Sequence, residues 1–154
     1  PNHSGNIFDH IEVNYSYPEG VRAFMAQRQQ RRCHNENSDY LLGTKGRGEI
    51  ARSIFIENAK GRWSYDGKKE NMYQIEHNEL FESIRAGKPI NNGDRMALST
   101  MMAIMGRTAA YTGKEITYEQ ILNAKEDRYP KDMNWRTGKH TPPPLAKPGL
   151  TPFV

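Results

Sequence analysis

The chain has 154 residues, which is enough for one domain with a hydrophobic core, or for one domain and a tail. Its 22 Lys and Arg against 18 Asp and Glu give a net charge of only +4, which argues against a nucleic-acid-binding protein. A single cysteine excludes an intramolecular disulfide, and no apolar run approaches the roughly 18 residues that span a membrane.

Five segments in the first half of the chain predict strands, and several have the alternation of apolar and polar residues that marks a half-buried strand. Pro18-Glu19-Gly20 separates the first two and has turn chemistry, so these strands are expected to form a hairpin. The Gly-rich segment from Gly43 to Gly48 precedes a strand rather than a helix, which favours a hairpin turn over a phosphate-binding loop. The predicted strands are residues 7–17, 21–29, 39–42, 49–57 and 62–65.

The second half of the chain changes to helical periodicity. Residues 71–85 carry apolar side chains at helical spacing and predict an amphipathic helix. Residues 94–111 predict a helix with a methionine-rich stripe and a second face of small residues around Gly106, a pattern typical of a helix buried between neighbours. Residues 117–125 begin with the spacing of a capping box and predict a short third helix. From Pro130 onward six prolines exclude regular structure, so this tail is expected to be ordered only by lying on a surface.

Strands followed by helices predict an α+β protein with an open, mainly antiparallel β-sheet, helices packed on one face, and an extended, proline-rich C-terminal tail. We predict one domain in residues 1–129 and the tail in residues 130–154. Because the helices can cover only one face, apolar residues on the other predict a surface for self-association, and Phe8, Phe24 and Phe55 lie opposite the main apolar stripes.

Two groups of polar residues have the residue types of catalytic or metal sites, but their spacing does not favour either role. The five histidines, His3 among them, have no metal-ligand spacing. Cys33 and His34 are adjacent, but no carboxylate that would orient the histidine is identifiable, so a loop cysteine without a catalytic role is favoured. The sequence therefore predicts neither catalytic residues nor a metal site in this chain.

Polar residues on the predicted hairpin are the candidate binding site. Antiparallel pairing about the turn puts Arg28 opposite His10, next to Asp9. Arginine offers a planar fork of donors and aspartate accepts from hydroxyls, so the three residues suit the hydroxyls or the carboxylate of a sugar acid. Alternatives remain open: Asp9 as a buried, hydrogen-bonded carboxylate, an Asp9–Arg28 ion pair that ties the hairpin, or Arg28 as part of a solvated strand end.

Several short segments, in order and spacing, carry a resemblance to a known family. They are Gly5-Asn6-Ile7-Phe8-Asp9-His10, Val13-Asn14-Tyr15-Ser16-Tyr17-Pro18-Glu19-Gly20, Gln27-Arg28-Gln29 with Cys33, Leu42-Gly43-Thr44-Lys45-Gly46, residues 76–130 with their two Gly-Lys helix ends, and residues 142–149. Together these segments resemble the C-terminal domain of the glucose–fructose oxidoreductase / inositol dehydrogenase / MocA family, in a Bacteroidetes/Planctomycetes-type branch.

The resemblance implies the C-terminal, substrate-binding and oligomerisation domain of an oxidoreductase that moves a hydride between NAD(P) and a sugar or polyol. The family's Gly-rich cofactor fingerprint, its Lys-Pro motif and its catalytic histidine helix are not found here, since Lys88-Pro89 follows a helix-ending glycine. The chain is therefore expected to lack the Rossmann domain, to be incomplete for catalysis by itself, and to bind no cofactor, with NAD or NADP bound in the full-length parent.

The resemblance also implies partners. In the family, the sheet forms one wall of the substrate site and packs face to face with the sheet of another subunit, so a homo-oligomer and a carbohydrate-type ligand are expected, and neither nucleic acid nor membrane. The alternative is a stand-alone carbohydrate-binding or protein-interaction module that retains the sheet. No signal peptide is visible, and the location is left open between cytoplasm and periplasm.

Overall fold

A computed structural model of the chain describes residues 5–127, 129–130 and 132–153. Among these residues the chain forms two compact units: unit 1 comprises the residues up to Arg31 and from Asn92 onward, and unit 2 comprises Arg32–Asn91. The described residues contain six strands and three helices: β1 (His10–Ser16), β2 (Arg22–Arg28), β3 (Asp39–Gly43), β4 (Gly46–Ile50), β5 (Phe55–Asn58), β6 (Gly61–Ser64), α1 (Met72–Arg85), α2 (Gly93–Thr112) and α3 (Tyr118–Leu122). The predicted α+β class with open, antiparallel sheet structure is confirmed, although the strands form two sheets, of two and four strands, where the sequence predicted one.

The first two strands of unit 1 form the predicted hairpin. A short 3-10 turn joins them, in which Glu19 and Gly20 take positive φ angles of 59° and 77°. Glycine takes this left-handed conformation without strain, which is why the chain can reverse there. The register pairs His10 with Arg28, as the sequence predicted, and the isolated hairpin forms its own two-stranded sheet.

Helix α2 packs on the β1 face of the hairpin that carries Val13 and Tyr15. The Tyr15 hydroxyl donates to the Met102 carbonyl oxygen at 3.0 Å, and Gly106 is buried beneath the tyrosine ring. Gly106 thus makes the close approach that was predicted for the small-residue face of this helix, whereas Ser99 and Ala103 of the same face are exposed. Phe8, which was expected on the uncovered face, instead stacks on Tyr111 with ring centroids 4.3 Å apart.

The ends of the helices follow their local sequence. Helix α2 begins after Asn92, one residue earlier than predicted, and ends at Gly113 with a φ of 69°. Helix α3 has the predicted capping box: the Thr117 hydroxyl accepts from the Gln120 N–H and the Gln120 side chain accepts from the Thr117 N–H. Ile121, which is 7% exposed, anchors this helix within unit 1.

The proline-rich tail lies on a surface, as the sequence predicted, and that surface is the end of α2. The Gly149 N–H donates to the Thr112 carbonyl oxygen at 2.7 Å, at the point where α2 stops. The described residues beyond Pro130 form no helix or strand, apart from one isolated bridge between Asn134 and Lys139. The tail thus belongs to unit 1 by its contacts, while the predicted division at residues 129 and 130 stays a prediction.

The four strands of unit 2 form an antiparallel meander in the order β3-β4-β5-β6. The sequence predicts three strands here, because the alternation of apolar residues runs through residues 49–57 as if they formed a single strand. The chain breaks between β4 and β5 near Ala51, a residue other than glycine with a φ of 82°. Gly43 pairs with Gly46, so the predicted hairpin turn is present but consists of Thr44 and Lys45 alone, and Gly46–Gly48 of the predicted turn belong to β4.

One face of the meander is apolar and exposed. Register places Leu41, Gly48, Ile56 and Trp63 in one row across all four strands. Leu41, Ile56 and Trp63 are 55–57% exposed, and we call this row the apolar sheet face. Ile56 belongs to the main apolar side of residues 49–57, which the sequence predicted to face the helices, but the structure leaves Ile56 exposed.

The opposite face of the meander is polar. Glu57 forms ion pairs with Arg47 at 3.0 Å and with Arg62 at 3.7 Å, and the Arg62 guanidinium lies 3.8 Å above the Phe55 ring. Phe55 is therefore half-buried under a cation rather than part of a free apolar surface. Phe24, by contrast, lies on the outward face of the hairpin and is 78% exposed, as predicted.

Helix α1 of unit 2 is exposed along its length. Every residue of the helix except Ser83 is exposed, and large apolar side chains such as Tyr73, Phe81 and Ile84 are at least half accessible. Its N-terminus is capped by Asn71, whose side chain accepts from the Tyr73 N–H. No helix among the described residues is long and apolar enough to cross a bilayer.

Candidate functional site

The three predicted site residues meet at the open end of the hairpin, and we call them the hairpin-end patch: Asp9, His10 and Arg28. His10 and Arg28 are directly paired across the two strands, so their side chains project from the same face. The Gln29 N–H donates to the Asp9 carbonyl oxygen at 2.7 Å, which extends the pairing one residue beyond β1. The backbone of both strands therefore fixes the patch.

The Asp9 carboxylate accepts two side-chain hydrogen bonds. One oxygen lies 2.7 Å from His10 Nδ1, and the other accepts from Gln30 Nε2 at 3.3 Å. Gln30 was not predicted as part of the site, although it belongs to the polar run that follows β2. The His10 and Asp9 side chains are 69% and 59% exposed, so the interpretation of Asp9 as a buried carboxylate was wrong.

These hydrogen bonds favour the ionised form of the Asp9 carboxyl. The bond from His10, and then the bond from Gln30, hold the pKa of the Asp9 carboxyl below its ordinary value. Near neutral pH the patch thus presents an ionised acceptor in contact with the imidazole of His10, with Arg28 on the facing strand. Such a combination of donors and acceptors can bind the hydroxyls of a polar ligand, and that role stays a prediction.

Replacement of His10 by alanine is expected to raise the pKa of Asp9 toward its ordinary value, because the bond from His10 is the largest cause of the lowered pKa. The pKa of Asp9 is lower in the folded state than in the unfolded chain. The bond from His10 therefore stabilises the fold fully at pH values above the unfolded pKa, and this stabilisation is lost as the pH falls through the folded pKa. The carboxyl carbon of Asp9 can be followed by NMR against pH. His34→Ala is the control, since His34 contacts Glu36 instead. An Asp9 titration unchanged by His10→Ala would contradict this account.

A second polar cluster lies before β3 in unit 2. The Glu36 carboxylate accepts from the Tyr40 hydroxyl at 2.6 Å and lies 3.2 Å from His34 Nε2. The Tyr40 bond, followed by the His34 bond, lowers the pKa of Glu36, and the same contact raises the pKa of Tyr40. No carboxylate was predicted to orient His34, yet Glu36, only two residues further along the chain, contacts it. The hydrogen bond from Tyr40 to Glu36 links this loop to β3. Cys33, the neighbour of His34, is exposed.

Among the described residues, no group of three or more His, Cys, Asp or Glu side chains is arranged to hold a metal ion. His3 lies outside those residues. Comparison with known proteins gives no match, either among protein-family models, among curated proteins or among solved structures.

Proposed function

We propose that this chain is the C-terminal, substrate-binding and oligomerisation part of an NAD(P)-dependent sugar or polyol oxidoreductase of the glucose–fructose oxidoreductase / inositol dehydrogenase / MocA family. By itself it is incomplete for catalysis. The observation that carries the proposal is the open four-stranded meander with an uncovered apolar row on one face. A sheet of this kind is suited to pack against a second sheet.

The uncovered row supports the oligomerisation half of the proposal. Soluble monomers seldom expose several large apolar side chains side by side, and such a patch usually marks an interface. Gly48 has no side chain and lies in the centre of the row, with the Leu41 Cβ and the Ile56 Cγ1 each 3.9 Å from the position of a Cβ there. Leu41 and Ile56 therefore flank Gly48 closely within the row, which favours face-to-face packing with a second copy of the chain.

The hairpin-end patch supports the substrate-binding half. Its Asp9 accepts two side-chain hydrogen bonds directly before β1, and Arg28, on β2 opposite His10, carries a guanidinium with several donors. A sugar or a polyol presents hydroxyls that need partners of both kinds. The hydride acceptor, NAD or NADP, belongs in this proposal to a Rossmann domain elsewhere in the parent enzyme, and the residues of this chain supply substrate contacts only.

In the full-length enzyme, Arg28→Ala and His10→Ala are each expected to lower kcat/KM for the substrate by about tenfold to a hundredfold, since each removes a hydrogen bond made by an ionisable group. The melting temperature should stay nearly unchanged because both side chains are exposed. Steady-state kinetics and thermal unfolding measure the two effects. Arg22→Ala, at the other end of the same hairpin, is the matched control.

An effect on stability alone would show that the patch is structural. If Arg28→Ala or His10→Ala lowers the melting temperature while the surviving fraction keeps its kcat/KM, the substrate-binding assignment fails. Equal kinetic losses in Arg22→Ala would also contradict it, because they would reflect a general effect of removing positive charge from the hairpin.

A further inference from the structure

Strand β2 pairs with β1 on one side, and its other side is an edge of the two-stranded sheet. The Tyr17 N–H donates to the Val21 carbonyl oxygen, so this pair is a hydrogen-bonded one. Hydrogen-bonded and non-hydrogen-bonded pairs alternate along an antiparallel ladder, and Arg22, Phe24 and Ala26 therefore direct their N–H and C=O groups away from β1. Within the part of the chain that the structure describes, these outward groups have no hydrogen-bond partner.

The side chains along this edge are open to solvent. Helix α2 packs on β1, and every residue of β2 except the half-buried Met25 is exposed. Phe24, which is 78% exposed, lies in the middle of the strand, and the small side chain of Ala26 follows on the same face. A large apolar ring thus stands beside unpaired backbone donors and acceptors, the combination that an added β-strand recognises.

The edge strand is positively charged. Residues 22–28 contain two arginines and no acidic residue. The Arg22 guanidinium donates to the hydroxyl of Ser16 on the facing strand, which is a neutral partner, and Arg22 takes part in none of the ion pairs formed among the described residues. It keeps further N–H donors that suit a carboxylate.

We propose that the β2 edge binds an extended segment of a partner protein, which adds to the hairpin as a third, antiparallel strand. The backbone of the segment exchanges hydrogen bonds with Phe24 and Ala26, and one of its apolar side chains packs on the Phe24 ring. An acidic side chain two residues further along the segment pairs with Arg22. The binding uses neither the hairpin-end patch nor the apolar sheet face, so it does not depend on the proposed oxidoreductase function.

The probe is a heptapeptide with blocked ends, Thr-Val-Thr-Val-Thr-Asp-Thr. In the proposed register its two valines lie opposite Ala26 and Phe24, and its aspartate lies opposite Arg22. Addition of the peptide to the 154-residue chain should slow hydrogen exchange at the Phe24 and Ala26 amides, as measured by NMR. The amides of Glu12 and Asn14 point outward from the opposite edge, on β1, and their exchange should stay unchanged.

Two N-methylated forms of the peptide test whether it binds as a strand. Methylation of both valine nitrogens removes N–H groups that face β2 and should weaken binding by about tenfold or more, since two hydrogen bonds are lost. Methylation of the third and fifth residues, both threonine, is the matched control. The N–H groups of these threonines point away from β2, so the dissociation constant should stay nearly unchanged.

The charge preference is tested with a second peptide in which asparagine replaces the aspartate. Arg22→Gln should weaken binding of the aspartate peptide by roughly twofold to fivefold, the usual effect of an exposed ion pair. It should leave binding of the asparagine peptide nearly unchanged. Arg95→Gln, at an exposed position of α2, is the control and should affect neither peptide.

The proposal is overturned if the aspartate peptide does not protect Phe24 and Ala26, if it protects Glu12 and Asn14 as strongly, or if the two methylated forms bind alike. Equal effects of Arg22→Gln on the aspartate and asparagine peptides would overturn the preference for an acidic segment. Protection of Phe24 and Ala26 that rises with protein concentration in the absence of peptide would also overturn it, because a second copy of the chain would then occupy the edge.

Discussion

Replacement of Gly106 by leucine is expected to destabilise unit 1 by roughly 1–3 kcal/mol or more, the cost of overpacking a closely packed site. Gly106 is buried on α2, and a Cβ there would collide with the Tyr15 hydroxyl oxygen while lying only 3.1 Å from Tyr15 Cζ and 3.7 Å from Val13 Cγ1. Tyr15 cannot easily yield because its hydroxyl donates to the Met102 carbonyl oxygen. Urea unfolding followed by circular dichroism measures the loss.

Ala103→Leu is the matched control, because Ala103 is an exposed residue of the same helix and should tolerate the larger side chain. A second comparison tests the steric clash between a Cβ at position 106 and the Tyr15 hydroxyl oxygen. Gly106→Ala should be less harmful in a Tyr15→Phe background than in the unsubstituted chain, since the phenylalanine lacks the oxygen that the new methyl group would meet. A melting temperature that is unchanged or raised in Gly106→Leu would show that α2 does not pack on β1 at this point.

Replacement of Ile56 by lysine is expected to abolish self-association at micromolar concentration. Ile56 lies in the middle of the apolar sheet face, between Gly48 and Trp63. An ammonium group buried there without a partner costs about 3 kcal/mol or more, which weakens a dimer roughly a hundredfold. Sedimentation velocity should give a dimer or a larger species for the unsubstituted chain and a monomer for Ile56→Lys.

Leu42→Lys provides the matched control on the same sheet. Leu42 is 88% exposed and lies on the opposite, polar face of β3, where an added cation stays in water. It should leave the oligomer intact. A strictly monomeric unsubstituted chain, or an Ile56→Lys variant that associates as strongly as the unsubstituted chain, would contradict an interface at the apolar sheet face.

The elements that depend on local chemistry could be predicted from the sequence. Alternation of apolar residues around Pro18-Glu19-Gly20 was sufficient for the first hairpin and for the pairing of His10 with Arg28. The capping box at Thr117 and the glycine that ends α2 could also be predicted from the sequence. Each of these features is determined by residues a few positions apart, so no knowledge of tertiary contacts was needed.

Features that depend on unusual backbone or on distant contacts could not be predicted. The break between β4 and β5 lies at Ala51, which has a positive φ although alanine is not one of the residue types, such as glycine, asparagine or proline, that indicate a turn in a sequence. Alternation identified the two faces of the meander but not which of them would stay exposed. A cleft of unit 1 joins Asn6 to Phe153, and no periodic pattern links residues so far apart in the chain.

The central claim, that this chain is one part of a larger NAD(P)-dependent oxidoreductase, is tested most directly by the nucleotide sequence upstream of the codon for Pro1. The account predicts that the reading frame continues upstream and encodes a strand, a Gly-rich dinucleotide-binding turn and a helix, which together begin a Rossmann domain. A start codon directly before Pro1, or an upstream frame without that pattern, would contradict the claim and favour a stand-alone binding module.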